Sequence, residues 1–151
     1  MIDLKGLKSI ILLNYLKDSM LDELSRITSI KEYRAGDYIF KENHEAGNIY
    51  AVIEGKVGLE IEKNSSTQIF INDIIHGMTF GFSALVETGE KTYTSSAKAL
   101  TDVKLYVWNA ADLEALFSKN HEMGFLFMKR IAKIIKTRLQ IRNIQLLDIY
   151  K

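Results

Sequence analysis

The sequence contains no cysteine and no proline. Without thiols, a disulfide framework, a thiolate metal site, a cysteine nucleophile and a cysteine-held iron–sulfur cluster are all excluded. Without proline, loop shape must come from glycine and from hydrogen bonding. Net charge is nearly absent as well: 20 Lys and Arg oppose 19 Asp and Glu, leaving +1. No global field therefore recruits nucleic acid or a membrane surface. The longest apolar runs, such as Ile10-Ile11-Leu12-Leu13, reach only four or five residues, whereas a membrane span needs roughly 20. Lys5 and Lys8 ahead of Ile10 imitate the start of a signal peptide, but Asn14 and Lys17 follow without a small-residue cleavage pattern. The reading is a cytoplasmic protein without a membrane partner.

What is present fits one domain of ordinary size. The 151 residues are 47% apolar and 26% charged, the balance of a globular chain able to bury most of its apolar surface. Three zones divide it. Residues 1–31 read as short helices, with Asp18 or Ser19 capping a helix that carries Leu21, Leu24 and Ile27 on one face. Residues 32–108 read as strands and turns. Residues 109–151 are helical again, opening at Asn109 as an N-cap before Leu113, Leu116 and Phe117.

The middle zone holds the most specific pattern. Ala35-Gly36-Asp37 is a tight turn that feeds the short strand Tyr38-Ile39-Phe40. Ile49 to Ile53 is an apolar run of strand length. Glu54-Gly55 reverses the chain, and Val57, Leu59 and Ile61 then alternate with polar residues. From the residues alone this is an antiparallel β module with one wet face.

The order of these pieces resembles the cyclic-nucleotide-binding domain of the catabolite activator protein (Crp–Fnr) family, along about Leu13 to Leu147. The resemblance implies a mainly β fold with flanking α: a jelly-roll barrel (double-stranded β-helix) with N-terminal helices and a long C-terminal dimerisation helix. It also implies a ligand cassette, Phe-Gly-Glu-x-Ala-Leu followed by a loop and then Arg with Ser or Thr. The Glu would accept from a ribose hydroxyl and the Arg would pair with the cyclic phosphate. The matching residues here are Phe80, Gly81, Phe82, Ser83 and Ala84, then Lys91 and Thr92. The frame survives, but Phe82 stands at the Glu position and Lys91 at the Arg position. A buried ribose hydroxyl facing Phe82 loses its acceptor, at a cost of about 1–3 kcal/mol. A lysine also lacks the two-pronged grip of a guanidinium. The resemblance places Arg138, on the last helix, near the ligand's base.

That helix, Glu122 to Leu147, repeats Phe127, Ile131, Ile134, Arg138, Ile141 and Gln145 at three–four spacing, the seam of a two-stranded coiled coil. Beside it run Met128, Ile135, Leu139 and Leu146. One stripe suits the barrel and the other a partner helix; a single wide buried face is the alternative. The first stripe is taken as the homodimer interface. Seven Lys or Arg against Glu122 and Asp148 make residues 122–151 basic, which is read as the wet face of a packed helix and not as direct nucleic-acid binding.

No catalytic or metal-ligating residue is assigned. His44, His76 and His121 stand singly in loops, no serine lies in a Gly-x-Ser-x-Gly elbow, and Glu60 and Glu62 share a wet strand face. The expected function is that of a non-enzymatic, effector-sensing regulatory domain in signal transduction, homodimeric, with no certain cofactor. Its effector would be a small anion or a cyclic nucleotide. Two alternatives stay open: the sensor half of a transcription regulator whose helix-turn-helix would follow, or a structural dimerisation module whose pocket is plugged by Phe82.

Overall fold

The computed structural model describes residues 2–150. Two short helices, α1 (Leu4–Lys8) and α2 (Asp18–Ser25), precede eight strands: β1 (Thr28–Tyr33), β2 (Tyr38–Phe40), β3 (Asn48–Glu54), β4 (Val57–Asn64), β5 (Thr67–Ile74), β6 (Thr79–Phe80), β7 (Ser96–Ala99) and β8 (Val103–Asn109). A single 3-10 turn, Phe82–Ala84, follows β6. Helices α3 (Ala110–Lys119) and α4 (His121–Ile149) close the described chain.

The strands form two antiparallel four-stranded sheets, ordered β1-β8-β3-β6 and β2-β7-β4-β5. This is the expected jelly-roll sandwich. Strand β8 shows why the sheets pack as they do. Val103, Leu105 and Val107 point between the sheets and join Val52, Val57, Ile74 and Phe80 in one core. Tyr106 and Trp108 point the other way, into a second core shared with Leu21, Leu24, Leu113, Phe127 and Ile131 of the helices. Trp108 is fully buried, and its indole N–H donates to Thr28 Oγ1 at 2.7 Å. Phe40 packs against both cores.

Two local expectations need adjustment. Strand β1 begins at Thr28, inside the stretch read as helical; the β-branched residues Ile27, Thr28 and Ile30 favour extension, and Thr28 to Tyr33 pair with β8. Helix α2 is preceded by Lys17, with Asp18 in its first turn and no side-chain cap. Asn109 does cap α3, its side chain accepting from the Asp112 N–H at 3.1 Å. Asn120 caps α4 in the same manner through the Met123 N–H.

The β3–β4 reversal depends on Gly55, which sits at φ +92°. A Cβ there would stand 2.3 Å from the carbonyl oxygen of Asp102 and 2.8 Å from a methyl of Val103. Backbone blocks the added methyl, so relaxation of a side chain offers no escape. Gly55→Ala is expected to lower stability by about 2 kcal/mol or more, read as a reduced urea midpoint at unchanged slope.

Candidate functional site

The site is built where β6 ends. Gly81 takes up a left-handed conformation at φ +87°, turning the chain from β6 into the 3-10 turn. A side chain at that position would meet Asn48 O at 3.1 Å and the Tyr50 ring at 3.4 Å. The turn presents Phe82 and Ser83 to a cavity of about 270 Å³. Phe80 and Gly81 form its floor, Phe40 and Leu59 line the barrel side, and Val86, Tyr93, Thr94 and Ser95 come from the loop and its return. Ile135 and Arg138 of α4 close the remaining side.

Five of the eight residues expected at the ligand site therefore do line one cavity: Phe80, Gly81, Phe82, Ser83 and Arg138. Three do not. Ala84 is fully buried among the helices behind the turn, in the Trp108 core. Lys91 and Thr92 lie on the outward loop: the Lys91 carbonyl accepts from the Ala46 N–H at 2.9 Å, and Thr92 bridges Glu45. The chain returns to the barrel at Tyr93, whose N–H donates to His44 O, so Tyr93 and Thr94 occupy the wall that Lys91 and Thr92 were expected to form. Tyr93 was legible in one respect, as the sole large apolar side chain between Val86 and Leu100.

Tyr93 is fixed at one ring face and at its hydroxyl. Its ring stacks on Phe40 with centroids 3.6 Å apart and planes 10° from parallel. Its hydroxyl donates to the Asn48 carbonyl at 2.8 Å and accepts from the Asn48 N–H at 3.2 Å. With both roles occupied by backbone, the phenol has no proton left for a ligand. Burial pushes Tyr93 up to about 12 against 10 for a free tyrosine.

Arg138 is the one formal charge on the cavity wall. Its guanidinium lies 5.3 Å from the Phe82 ring centroid and donates through Nη2 to the carbonyl oxygen of Thr79. Among the described residues no carboxylate lies within ion-pair distance of it. Burial lowers it to about 10, so it remains protonated at neutral pH. The hydroxyl of Thr79 itself is buried without a partner.

Along the expected dimer seam on α4, the N-terminal half turns inward while Ile141 stays exposed at 51%. Phe127 and Ile131 are buried in the protein's own core, Ile134 packs against it, and Arg138 turns to the cavity. Ile141 lines a second cavity of about 330 Å³ between α4 and the barrel, which Arg138 also borders, and Gln145 lines a smaller one beside it. The neighbouring stripe faces outward: Met128, Ile135, Leu139 and Leu146 are exposed, and Phe125, Ala132, Arg142 and Ile149 extend the same three–four spacing. The helix is held to the N-terminal segment by Arg130, which lies over the Tyr15 ring and donates to Ile11 O and Asn14 Oδ1, and by the Tyr15 hydroxyl on Leu126 O.

Among the described residues no three His, Asp or Glu side chains gather closely enough to hold a metal ion, and no helix is long and apolar enough to cross a membrane. The sequence profile of the cyclic nucleotide-binding domain matches residues 30–120. The chain belongs to that family. No curated protein sequence matches it. Among solved structures, a candidate cyclic nucleotide-binding protein from Geobacter metallireducens is 29% identical over 92% of this chain and 99% of that one, with a TM-score of 0.80. The N-terminal domain of a transcriptional regulator from Streptomyces coelicolor is 23% identical over 91% and 94%, with a TM-score of 0.73. The catabolite activator protein of Thermus thermophilus is 23% identical, with a TM-score of 0.74; the match covers 92% of this chain and 62% of that protein. The last two likenesses are of fold.

Both Tyr93 and Tyr15 are raised to about 12, chiefly by burial. A folded-state pKa above the unfolded value of about 10 gives stability that is complete below pH 10 and lost as pH climbs through 12. Alkaline unfolding monitored by near-ultraviolet circular dichroism is expected to set in across that window. Tyr93→Phe removes one of the two titrating groups and should flatten the loss, while lowering neutral-pH stability by about 1–3 kcal/mol because Asn48 keeps two unpaired backbone groups.

Proposed function

We propose that this cyclic nucleotide-binding domain is an effector-sensing regulatory unit that does not hold cAMP tightly by the family's usual contacts. The observation that carries the reading is the cavity itself: an open chamber between the 3-10 turn and α4, with four aromatic residues in its lining and Arg138 as its one charge. Phe82 lines this space, and about 270 Å³ is left beside its ring. That volume favours a sensor over a plugged structural module.

Where the family pattern supplies Glu this chain has Phe82, and Lys91, at the Arg position, is not among the residues lining the cavity. Each hydrogen bond to a charged group is worth about 1.5–3 kcal/mol, so losing two weakens a nucleotide by on the order of two to four powers of ten. The Lys91 side chain, on the outer loop, does not offset this from where it sits.

The signal would leave through α4. Ile135 lines the cavity and also belongs to the exposed stripe, so an occupant that shifts Ile135 shifts the surface offered to a second copy. The proposed homodimer uses Met128, Ile135, Leu139 and Leu146 in place of the Phe127–Ile131 stripe. The reading is non-enzymatic. The chain spans about three-fifths of the Thermus protein and nearly all of the Streptomyces N-terminal domain, which supports, as a second reading, the sensor half of a transcription regulator; the length of the open reading frame decides that point.

Thermal shift and calorimetry with cAMP, cGMP and cyclic dinucleotides test the ligand part. Micromolar cAMP or cGMP is expected to leave the Tm unchanged, and a saturable rise would show that the barrel backbone and Arg138 suffice. For the assembly, sedimentation should give a dimer for the native chain and a monomer for Leu139→Asp, with the β signature of the circular dichroism intact. A Leu139→Asp variant that remains dimeric would move the interface off this stripe.

A further inference from the structure

We propose that the cavity takes a small organic acid, with one carboxylate on Arg138 and a flat apolar body between the rings of Phe82 and Tyr93. The inference rests on the effector-sensing reading and names the chemical class of its effector.

Charge comes first. The lining includes one cation and no Asp or Glu. A guanidinium carries five N–H donors, and the one hydrogen bond Arg138 makes among the described residues goes to a backbone carbonyl. A partly buried cation without a counter-charge carries a desolvation cost, and a bound monoanion relieves that cost. The planar fork of a guanidinium matches a carboxylate through two parallel hydrogen bonds. A second negative charge would find no second cation on this wall.

Shape and polarity then narrow the body of the ligand. Four aromatic residues, Phe40, Phe80, Phe82 and Tyr93, are among those lining the space, a surface suited to a flat apolar group. Tyr93 has spent its hydroxyl on Asn48, and no carboxylate is present to accept from a sugar diol. The remaining polar groups are the hydroxyls of Ser83, Thr94 and Ser95, enough for one or two directional bonds. At about 270 Å³ the chamber falls just below the range of roughly 300–1,000 Å³ found for drug-sized ligands. A nucleotide's base and sugar are poorly served on every count, whereas an aryl-acetic or similar acid is served on all of them.

Calorimetry on the whole chain with phenylacetate, its uncharged amide phenylacetamide, and cAMP tests this directly. Saturable binding of phenylacetate is expected, with the amide at least about tenfold weaker. Arg138→Met should weaken the acid by about 10- to 100-fold, and Arg138→Lys should fall between, since it keeps the charge and loses the fork. The comparison of acid with amide uses the native protein, so it stands even if a variant fails to fold. Equal binding of acid and amide, or binding of cAMP with none of the acid, overturns the organic-acid assignment and leaves the sensing role in place. No binding by any of the three, with dimerisation indifferent to all, overturns both.

Discussion

The backbone of one residue and one phenol hold the business end of this barrel together. The Tyr93 hydroxyl closes on both the N–H and the carbonyl of Asn48, at the first residue of β3, while its ring lies flat on Phe40. Phe40 in turn touches both hydrophobic cores. The loop that leaves β6 is thereby brought back to a fixed point, and the strand that follows it, β7, is placed in the second sheet. The clamp works beside the backbone bonds of Tyr93 to Asn43 and His44 to set the wall formed by Tyr93, Thr94 and Ser95.

The second organising element is the buried guanidinium. Arg138 reaches from α4 to the carbonyl of Thr79, on the strand that leads into the 3-10 turn, and covers Phe82. It thus ties the helix to the turn directly, across the cavity mouth. Desolvation opposes the charge, and the ring face with a single carbonyl compensates for it only in part. An element of this kind responds to whatever enters beside it, because an arriving anion competes for the same N–H groups.

Much of the architecture was legible in the residues. The turn at Gly36, the reversal at Gly55, the apolar run Ile49 to Ile53 and the cap at Asn109 each state a local preference that the fold obeys. The site was half legible. Phe80, Gly81, Phe82 and Ser83 follow one another without a gap, so their register could not slip. Lys91 and Thr92 lie across a loop whose path the residues do not fix, and the cavity wall there is formed by Tyr93 and Thr94. On α4 the pattern showed two apolar stripes but carried no mark of which one faces inward. That choice is made by the positions of α3 and the N-terminal segment, where Phe117 meets Phe127 and Tyr15 meets Leu126. These are long-range contacts with no signature in the helix's own spacing.

The far half of α4 carries a further consequence. Beyond Ile141 the helix offers Ile144, Leu147 and Ile149 at 62%, 68% and 75% exposure, with little of the barrel beneath them. A helical segment of this length with no tertiary support is marginal in water. Under the proposed pairing, its order is conferred by the second copy and so obeys mass action. The abundance of the protein then becomes an input in its own right: at low copy number the last turns fray and the cavity loses its listener, while at high copy number they are set before any effector arrives.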